Sequence, residues 1–261
     1  MKIQFYKYQG TGNDFVVLDN RQHEYDGLTT AQINALCERR FGIGADGLMM
    51  LNTRPGYDFE MKYFNADGKE GSMCGNGGRC IVRFARDLGI HKQEYKFMAV
   101  DGEHVAEIDA DGTISLKMND VNQVDEEHGD LVLNTGSPHY IKYVNDLDEL
   151  DVVEKGRDIR FSRDYEKDGI NVNFVEHLED TDRIAVRTYE RGVEDETWSC
   201  GTGVTAAALV SYHNESGFNL VYVQTRGGEL QVEFDRVGDG EFNNIWLCGP
   251  AEKVFEGSIE I

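Results

Sequence analysis

Ser72-Met73-Cys74-Gly75-Asn76-Gly77-Gly78-Arg79-Cys80 is echoed later in the chain by Trp198-Ser199-Cys200-Gly201-Thr202-Gly203-Val204. In each copy a cysteine is followed by Gly-x-Gly and then by a run that reads as a helix, residues 80–88 in the first and 204–213 in the second. Each cysteine is thereby placed at the mouth of a helix. A helix N-terminus leaves backbone N–H groups unpaired and carries a positive partial charge, so it favours a thiolate over a thiol and can hold a carboxylate. The glycines bring backbone donors close to a ligand because no Cβ intervenes. Either cysteine alone reads more simply as a small buried hydrophobe. The pair, in matching contexts, reads as two opposed thiols.

The two copies belong to a longer repeat. Gly228 follows Gly102 by the same interval as Cys200 follows Cys74, and Asn65 and Arg191 stand equally far ahead of their cysteines. Upstream, Gly136 echoes Gly12 and Gly169 echoes Gly47 at slightly shorter intervals. A slowly drifting interval near half the chain length is what a duplicated unit with small insertions produces. Strand patterns surround each cysteine helix, over residues 2–8, 15–19, 48–51, 57–65 and the hairpin flanking Asp101-Gly102 in the first half. They recur over 131–134, 140–144, 171–175 and 183–190 in the second half, and a further helix is expected over about 31–40. Ala206-Ala207-Ala208-Leu209-Val210 is apolar on nearly every side, which suits a helix enclosed by a curved sheet. The acidic, apolar-poor stretch 119–130 reads as the crossing between units. Two units facing one another would place both helix mouths at a shared cleft, where small-molecule sites tend to form.

The chain has 261 residues, enough for two small domains with a real core. Its 26 Lys and Arg stand against 48 Asp and Glu, a formal net charge of −22. Nucleic acid and anionic membrane both demand a basic face, so neither is expected as a partner. The N-terminal residues lack the apolar core of a signal peptide and no apolar run is long enough to span a bilayer, which points to the cytoplasm. Five cysteines at irregular spacing make neither a disulfide framework nor a zinc pattern, so free thiols and no metal are expected. Cys37, Cys80 and Cys248 read as core.

Opposed thiols suit inversion at a carbon centre. One face must lose a proton and the other gain one, so two acid/base groups flank the substrate, one as thiolate and one as thiol. The α-proton of an amino acid is weakly acidic, so the developing carbanion needs dense electrostatic stabilisation in a dry site. Two helix N-termini converging on the α-carboxylate would supply it.

Gly12-Asn13-Asp14-Phe15, Phe64-Asn65-Ala66-Asp67-Gly68, Cys74-Gly75-Asn76-Gly77, Tyr189-Glu190-Arg191-Gly192 and Cys200-Gly201-Thr202-Gly203, in this order across nearly the whole chain, resemble the diaminopimelate epimerases. The resemblance implies an α/β (α+β) fold of two pseudo-symmetric units, each a curved, barrel-like, mostly antiparallel sheet around a central helix, with the active site in the interdomain cleft. It returns the C-terminal strand to the first unit, giving residues 1–118 with 249–261 as one domain and 119–248 as the other. It implies epimerisation of LL- and meso-2,6-diaminopimelate without pyridoxal phosphate or another cofactor, in lysine and peptidoglycan synthesis, and is compatible with a homodimer. Position by position, Cys74 and Cys200 become the acid/base thiols. Gly75, Asn76, Gly201 and Thr202 become donors to the reacting carboxylate, and Asn13, Asn65, Asn171 and Arg191 bind the rest of the substrate, with Arg191 on the distal carboxylate. Glu190 becomes an acceptor for the substrate ammonium, and His139 a residue that tunes the site. On their own, Asn13 and Asn65 read as turn residues and His139 as a loop histidine.

Two positions depart from that pattern. Ser137 stands before Pro138-His139 where the family often has Asn, and Gly47 stands where many relatives carry Gln. Two other activities share the two-thiol feature. A proline or hydroxyproline racemase-like enzyme also opposes two cysteines, but so small a ligand offers Arg191 no second carboxylate. A redox-responsive dithiol binding protein would use Cys74 and Cys200 to form a reversible disulfide.

Overall fold

The computed structural model describes residues 1–71, 73–178 and 182–261, so Ser72 of the first cysteine stretch lies outside the described residues. The chain divides into two compact units, Met1–Leu116 with Gly249–Ile261, and Lys117–Cys248. Each is a mixed α/β unit dominated by strands.

In the first unit the elements are β1 (Lys2–Gly10), β2 (Asn13–Asp19), α1 (Thr30–Cys37), β3 (Gly47–Asn52), β4 (Phe59–Asn65), α2 (Gly75–Asp87), β5 (Glu94–Ala99), β6 (Gly102–Ile108) and β7 (Ile114–Lys117). The C-terminal strand Glu252–Glu260 pairs antiparallel with β1, Lys2 opposite Glu260, and so returns to this unit. β1 and β2 form a hairpin whose two turn residues, Thr11 and Gly12, both have positive φ, at 49° and 85°. That is the turn geometry matching the twist of paired strands, and a β-branched residue in it is strained. β2–β3 and β4–β5 are parallel, spanned by α1 and α2, while β3–β4, β5–β6 and β6–β7 are antiparallel. Parallel neighbours need such a helical crossover.

The second unit runs β8 (Val124–Glu127), β9 (Asp130–Asn134), β10 (Pro138–Tyr143), α3 (Val152–Arg160), β11 (Asn171–His177), β12 (Arg183–Glu190), β13 (Asp195–Thr197), α4 (Gly201–Val210), β14 (Gly217–Thr225), β15 (Gly228–Gly238) and β16 (Glu241–Gly249). β10–β11 and β12–β14 are parallel, spanned by α3 and α4, and β9–β10, β11–β12, β14–β15 and β15–β16 are antiparallel. Hairpin, crossover, hairpin, crossover and meander thus follow the same order in both units, which is the duplication that the spacing of Cys74, Gly102, Cys200 and Gly228 predicted.

The two cysteine helices form the hearts of their units. In α2 every residue from Gly75 to Val82 is buried, and in α4 all but Thr202 and Val210 are. α4 touches β9, β10, β11, β12, β14 and β15, so the strands wrap it. Its Val204, Ala206, Ala207, Ala208 and Leu209 share one apolar cluster with Val221, Val223, Val232, Phe234 and Leu247. Small alanines let the sheet approach a helix from all sides at close-packed distance.

Several boundaries differ from the sequence reading. Both cysteine helices begin at the glycine after the cysteine, because the cysteine itself is the N-cap and packing overrides the poor helix propensity of glycine. α1 stops at Cys37, where Glu38 turns extended. Val124–Glu127, inside the stretch read as an irregular crossing, is a strand paired with β9 in the second unit. α3 was not foreseen: Asp151 caps it by accepting from the Glu154 N–H at 2.9 Å, and it buries only Val152 and Gly156, too few for an apolar period to show.

Candidate functional site

Cys74 caps α2 through its own side chain: Sγ accepts from the Gly77 N–H at 3.3 Å. A thiolate is the better acceptor for such a donor, so the cap and the helix dipole act on the sulfur together. The sulfur also lies 3.9 Å from Asn13 Oδ1. That amide is oriented from behind, since Asn13 Nδ2 donates to Asp46 Oδ2 at 2.6 Å. Asp46 in turn meets Arg39 at 2.6 Å, and Arg39 and Lys7 both pair with Asp14. Burial alone would raise the Asp14 carboxyl, but the bonds from Arg39 and Lys7 prevail and bring it down to about 2.

Asn76, at the second position of α2 and nearly inaccessible, is held by its carbonyl oxygen. Arg79 Nη2 donates to Oδ1 at 2.9 Å and the Thr11 hydroxyl lies 3.3 Å from it. Asn65 ends β4 and is exposed at a tight turn, its carboxamide against Gly71, where a Cβ would lie 2.9 Å from Nδ2. Gly47 is required by the fold here: a Cβ would meet Tyr63 Cε2 at 2.5 Å and the Phe64 carbonyl at 2.6 Å. The tyrosine ring occupies the space into which a longer side chain would project.

In the second unit Cys200 stands at the N-cap of α4, with Sγ 3.6 Å from Thr202 Oγ1 and without the side-chain capping bond that Cys74 makes. The Thr202 carbonyl is fixed by the Thr135 hydroxyl at 2.8 Å. Ser137, Asn171 and Arg191 come together. Ser137 Oγ accepts from Asn171 Nδ2 at 2.9 Å and from Arg191 Nη2 at 3.2 Å, while Asn171 Oδ1 accepts from the Arg191 N–H at 2.9 Å. The short serine thus serves as the junction of that cluster. The Arg191 chain crosses Gly169, where a Cβ would lie 2.7 Å from Cδ. Glu190 closes β12, half-buried. His139 is wholly buried on β10 beside β11, opposite Asn171 in register. Burial, with the charge of Arg191, pushes its imidazole down to about 3.

All five cysteines are unbridged, and Cys37, Cys80 and Cys248 are buried. Sequence reasoning missed Thr11, Asp46, Arg79, Thr135 and Asn173. Arg79 had a legible signal, a cation set within the otherwise uncharged run 75–82 behind Cys74, and so had Asn173, two residues beyond Asn171 on the same strand face.

The family model described as "Diaminopimelate epimerase" matches residues 5–124 and 131–254. A diaminopimelate epimerase of Flavobacterium psychrophilum is 47% identical over 258 residues, covering 98% of this chain and 100% of the relative. One from Chlorobaculum tepidum is 45% identical, covering 97% of this chain and 99% of the relative. Among solved structures, a phenazine biosynthesis protein of the PhzF family from Bacillus anthracis superposes with TM-score 0.78 at 17% identity, covering 100% of both chains. A hydroxyproline epimerase from Agrobacterium vitis superposes with TM-score 0.66 at 14% identity, covering 99% of this chain and 92% of the other. At such identities the two structures speak for the fold alone.

Proposed function

Because the chain belongs to the diaminopimelate epimerase family and is an isomerase, we propose that it interconverts LL- and meso-2,6-diaminopimelate by a two-thiol mechanism. The observation that carries this reading is the equivalence of Cys74 and Cys200, each the N-cap of the enclosed helix of its own unit. One thiolate removes the α-proton, forming a thiol and leaving the electron pair on the α-carbon. The other thiol delivers its proton to the opposite face and becomes a thiolate, so charge and protons balance and the roles exchange in the reverse direction. Gly75, Asn76, Gly201 and Thr202 hold the α-carboxylate at the two helix ends, where their dipoles stabilise the developing carbanion. Asn13, Asn65, Asn171, Ser137 and Arg191 bind the distal amino-acid end, with the guanidinium on its carboxylate. Glu190 accepts from the ammonium. The reading places the enzyme in the cytoplasm, in lysine and peptidoglycan precursor synthesis, with no step routed through a cofactor.

Incubating reduced protein with LL-diaminopimelate in D2O tests it by NMR. The expected result is deuterium at the α-carbon together with meso product. Exchange with proline instead, in a parallel sample, would transfer the assignment to a racemase of cyclic amino acids. No exchange with either under reducing conditions would overturn the two-thiol reading and favour a redox dithiol.

A further inference from the structure

His139 is wholly buried, and its Nε2 has no hydrogen-bond partner among the described residues. A buried polar nitrogen left in that state costs about 1–3 kcal/mol unless something arrives to meet it. Which nitrogen carries the proton is decided by Asn173, which is itself wholly buried. Asn173 Nδ2 lies 3.1 Å from the Tyr140 carbonyl, which can only accept, and its Oδ1 lies 2.9 Å from the Thr188 hydroxyl. The amide nitrogen therefore faces Tyr140, and the same nitrogen lies 3.1 Å from His139 Nδ1. An amide nitrogen only donates, so Nδ1 accepts and the ring proton sits on Nε2. The carboxamide is packed against the first turn of α4, since a Cβ on Gly203 would fall 2.3 Å from Asn173 Oδ1.

We propose that Asn173 is a positioning residue that locks His139 in the neutral Nε2–H tautomer, so that His139 serves the reaction as a hydrogen-bond donor to an anion and not as a proton acceptor. A buried, unmatched N–H repels an ammonium and attracts a carboxylate or thiolate, so the ligand class is anionic. The proposal rests on the proposed function and on the site-tuning role for His139 that the family resemblance implies. It adds a device that the cysteine motifs do not contain: a donor whose polarity is set by a residue one strand away.

The tautomer is read directly on the whole reduced protein labelled with 15N, with the His139 ring signals identified by their loss in His139→Gln. The expected spectrum shows an unprotonated Nδ1 and a protonated Nε2, unchanged across the neutral pH range. A protonated Nδ1, alone or in a charged ring, would overturn the proposal. Activity supplies a second test. Gln offers an N–H near the place of Nε2 but cannot titrate, so His139→Gln should retain about tenfold or more kcat/KM over His139→Leu. Equal inactivity of the two would show that the ring must exchange a proton and would refute the donor role. In Asn173→Asp the carboxylate can only accept, so the proton should move to Nδ1 and kcat/KM should fall about tenfold or more. If that variant does not fold, the spectrum of the unsubstituted protein still decides. If His139→Leu is as active as the parent, the assignment of His139 to the site fails, while the tautomer result stands separately.

Discussion

Arg79 donates from Nη2 to Asn76 Oδ1 at 2.9 Å, and it does so with its side chain wholly inside the first unit. The same nitrogen donates to the Thr11 hydroxyl at 3.1 Å, and Nη1 reaches the Gly75 carbonyl at 3.3 Å. The guanidinium thus holds the carbonyl end of Asn76 and fixes the polarity of its carboxamide, and under the proposed function the N–H2 end donates to the substrate carboxylate. Thr11 holds its place in the β1–β2 turn at φ 49° although a β-branched residue is disfavoured there by about 1–2 kcal/mol.

Thr11→Gly should therefore leave stability nearly unchanged while weakening substrate binding. Relief of about 1–2 kcal/mol of left-handed strain is set against two lost hydroxyl bonds of about 1 kcal/mol each, so the two nearly cancel. Asn76, deprived of one anchor, should raise KM by about three- to tenfold, an effect worth about 1 kcal/mol. Thermal melts and steady-state kinetics check both halves. A marked drop in melting temperature with unchanged KM would mean that Thr11 serves the fold and not the site.

Thiol chemistry should separate the cysteines. Burial pushes the Cys37 thiol up to about 12 and the Cys80 thiol higher still, and neither sulfur is accessible. Cys74 is half-buried and accepts a backbone N–H at the helix end. Brief alkylation of the native protein by iodoacetamide, followed by peptide mass mapping, should modify Cys74 first and leave Cys37 and Cys80 intact. Loss of activity should track modification of Cys74. Labelling of Cys37 at a comparable rate would contradict the assignment.

The cysteine helices and the duplication were legible because they rest on strong signals: Gly-x-Gly behind each cysteine and a slowly drifting interval between copies. The supporting side chains were not, because what joins them is lateral. Asp46 reaches Asn13 through the parallel β2–β3 pairing, and Asn173 reaches His139 through the parallel β10–β11 pairing. Parallel partners are brought side by side by a crossover helix, so no short spacing in the chain announces them. α3, the crossover behind the second of these, escaped notice for the related reason that a helix burying two residues shows no apolar stripe.

The Asp14 cluster gives the first unit a specific acid sensitivity. Its carboxyl falls from 3.8 to about 2 in the folded chain, because Arg39 and Lys7 outweigh the burial that would raise it. A depressed folded pKa contributes stability that is fully present above the unfolded value and is lost as pH falls through the folded value, here between about 4 and about 2. The contribution at neutral pH is about 2 kcal/mol. Asp14→Asn should cost about that much at neutral pH and should flatten the decline in stability over the acid window. Denaturant titrations of both proteins at several pH values measure it. Parallel curves would show that the cluster does not govern acid unfolding.

Gly77 and Gly203 occupy equivalent places, each in the first turn of its cysteine helix, yet their surroundings differ. A Cβ on Gly77 would meet Cys74 Sγ at 3.3 Å and two methionine side chains at 3.4 Å, contacts that a small adjustment relieves. A Cβ on Gly203 would lie 2.3 Å from Asn173 Oδ1, a group already fixed by Thr188. Gly203→Ala should therefore destabilise the protein by about 1–3 kcal/mol, the usual cost of forcing extra volume into a packed interior. Gly77→Ala gains helix propensity of about 1 kcal/mol, which offsets much of its milder contact. The activity of Gly77→Ala should still fall, because the added methyl stands against the sulfur of Cys74. Chemical denaturation and turnover measured side by side should show the two alanines failing differently, one chiefly in stability and the other chiefly in rate. Equal losses of stability would mean that Asn173 yields to the methyl, and that the carboxamide holding His139 is less firmly fixed than its bonds imply.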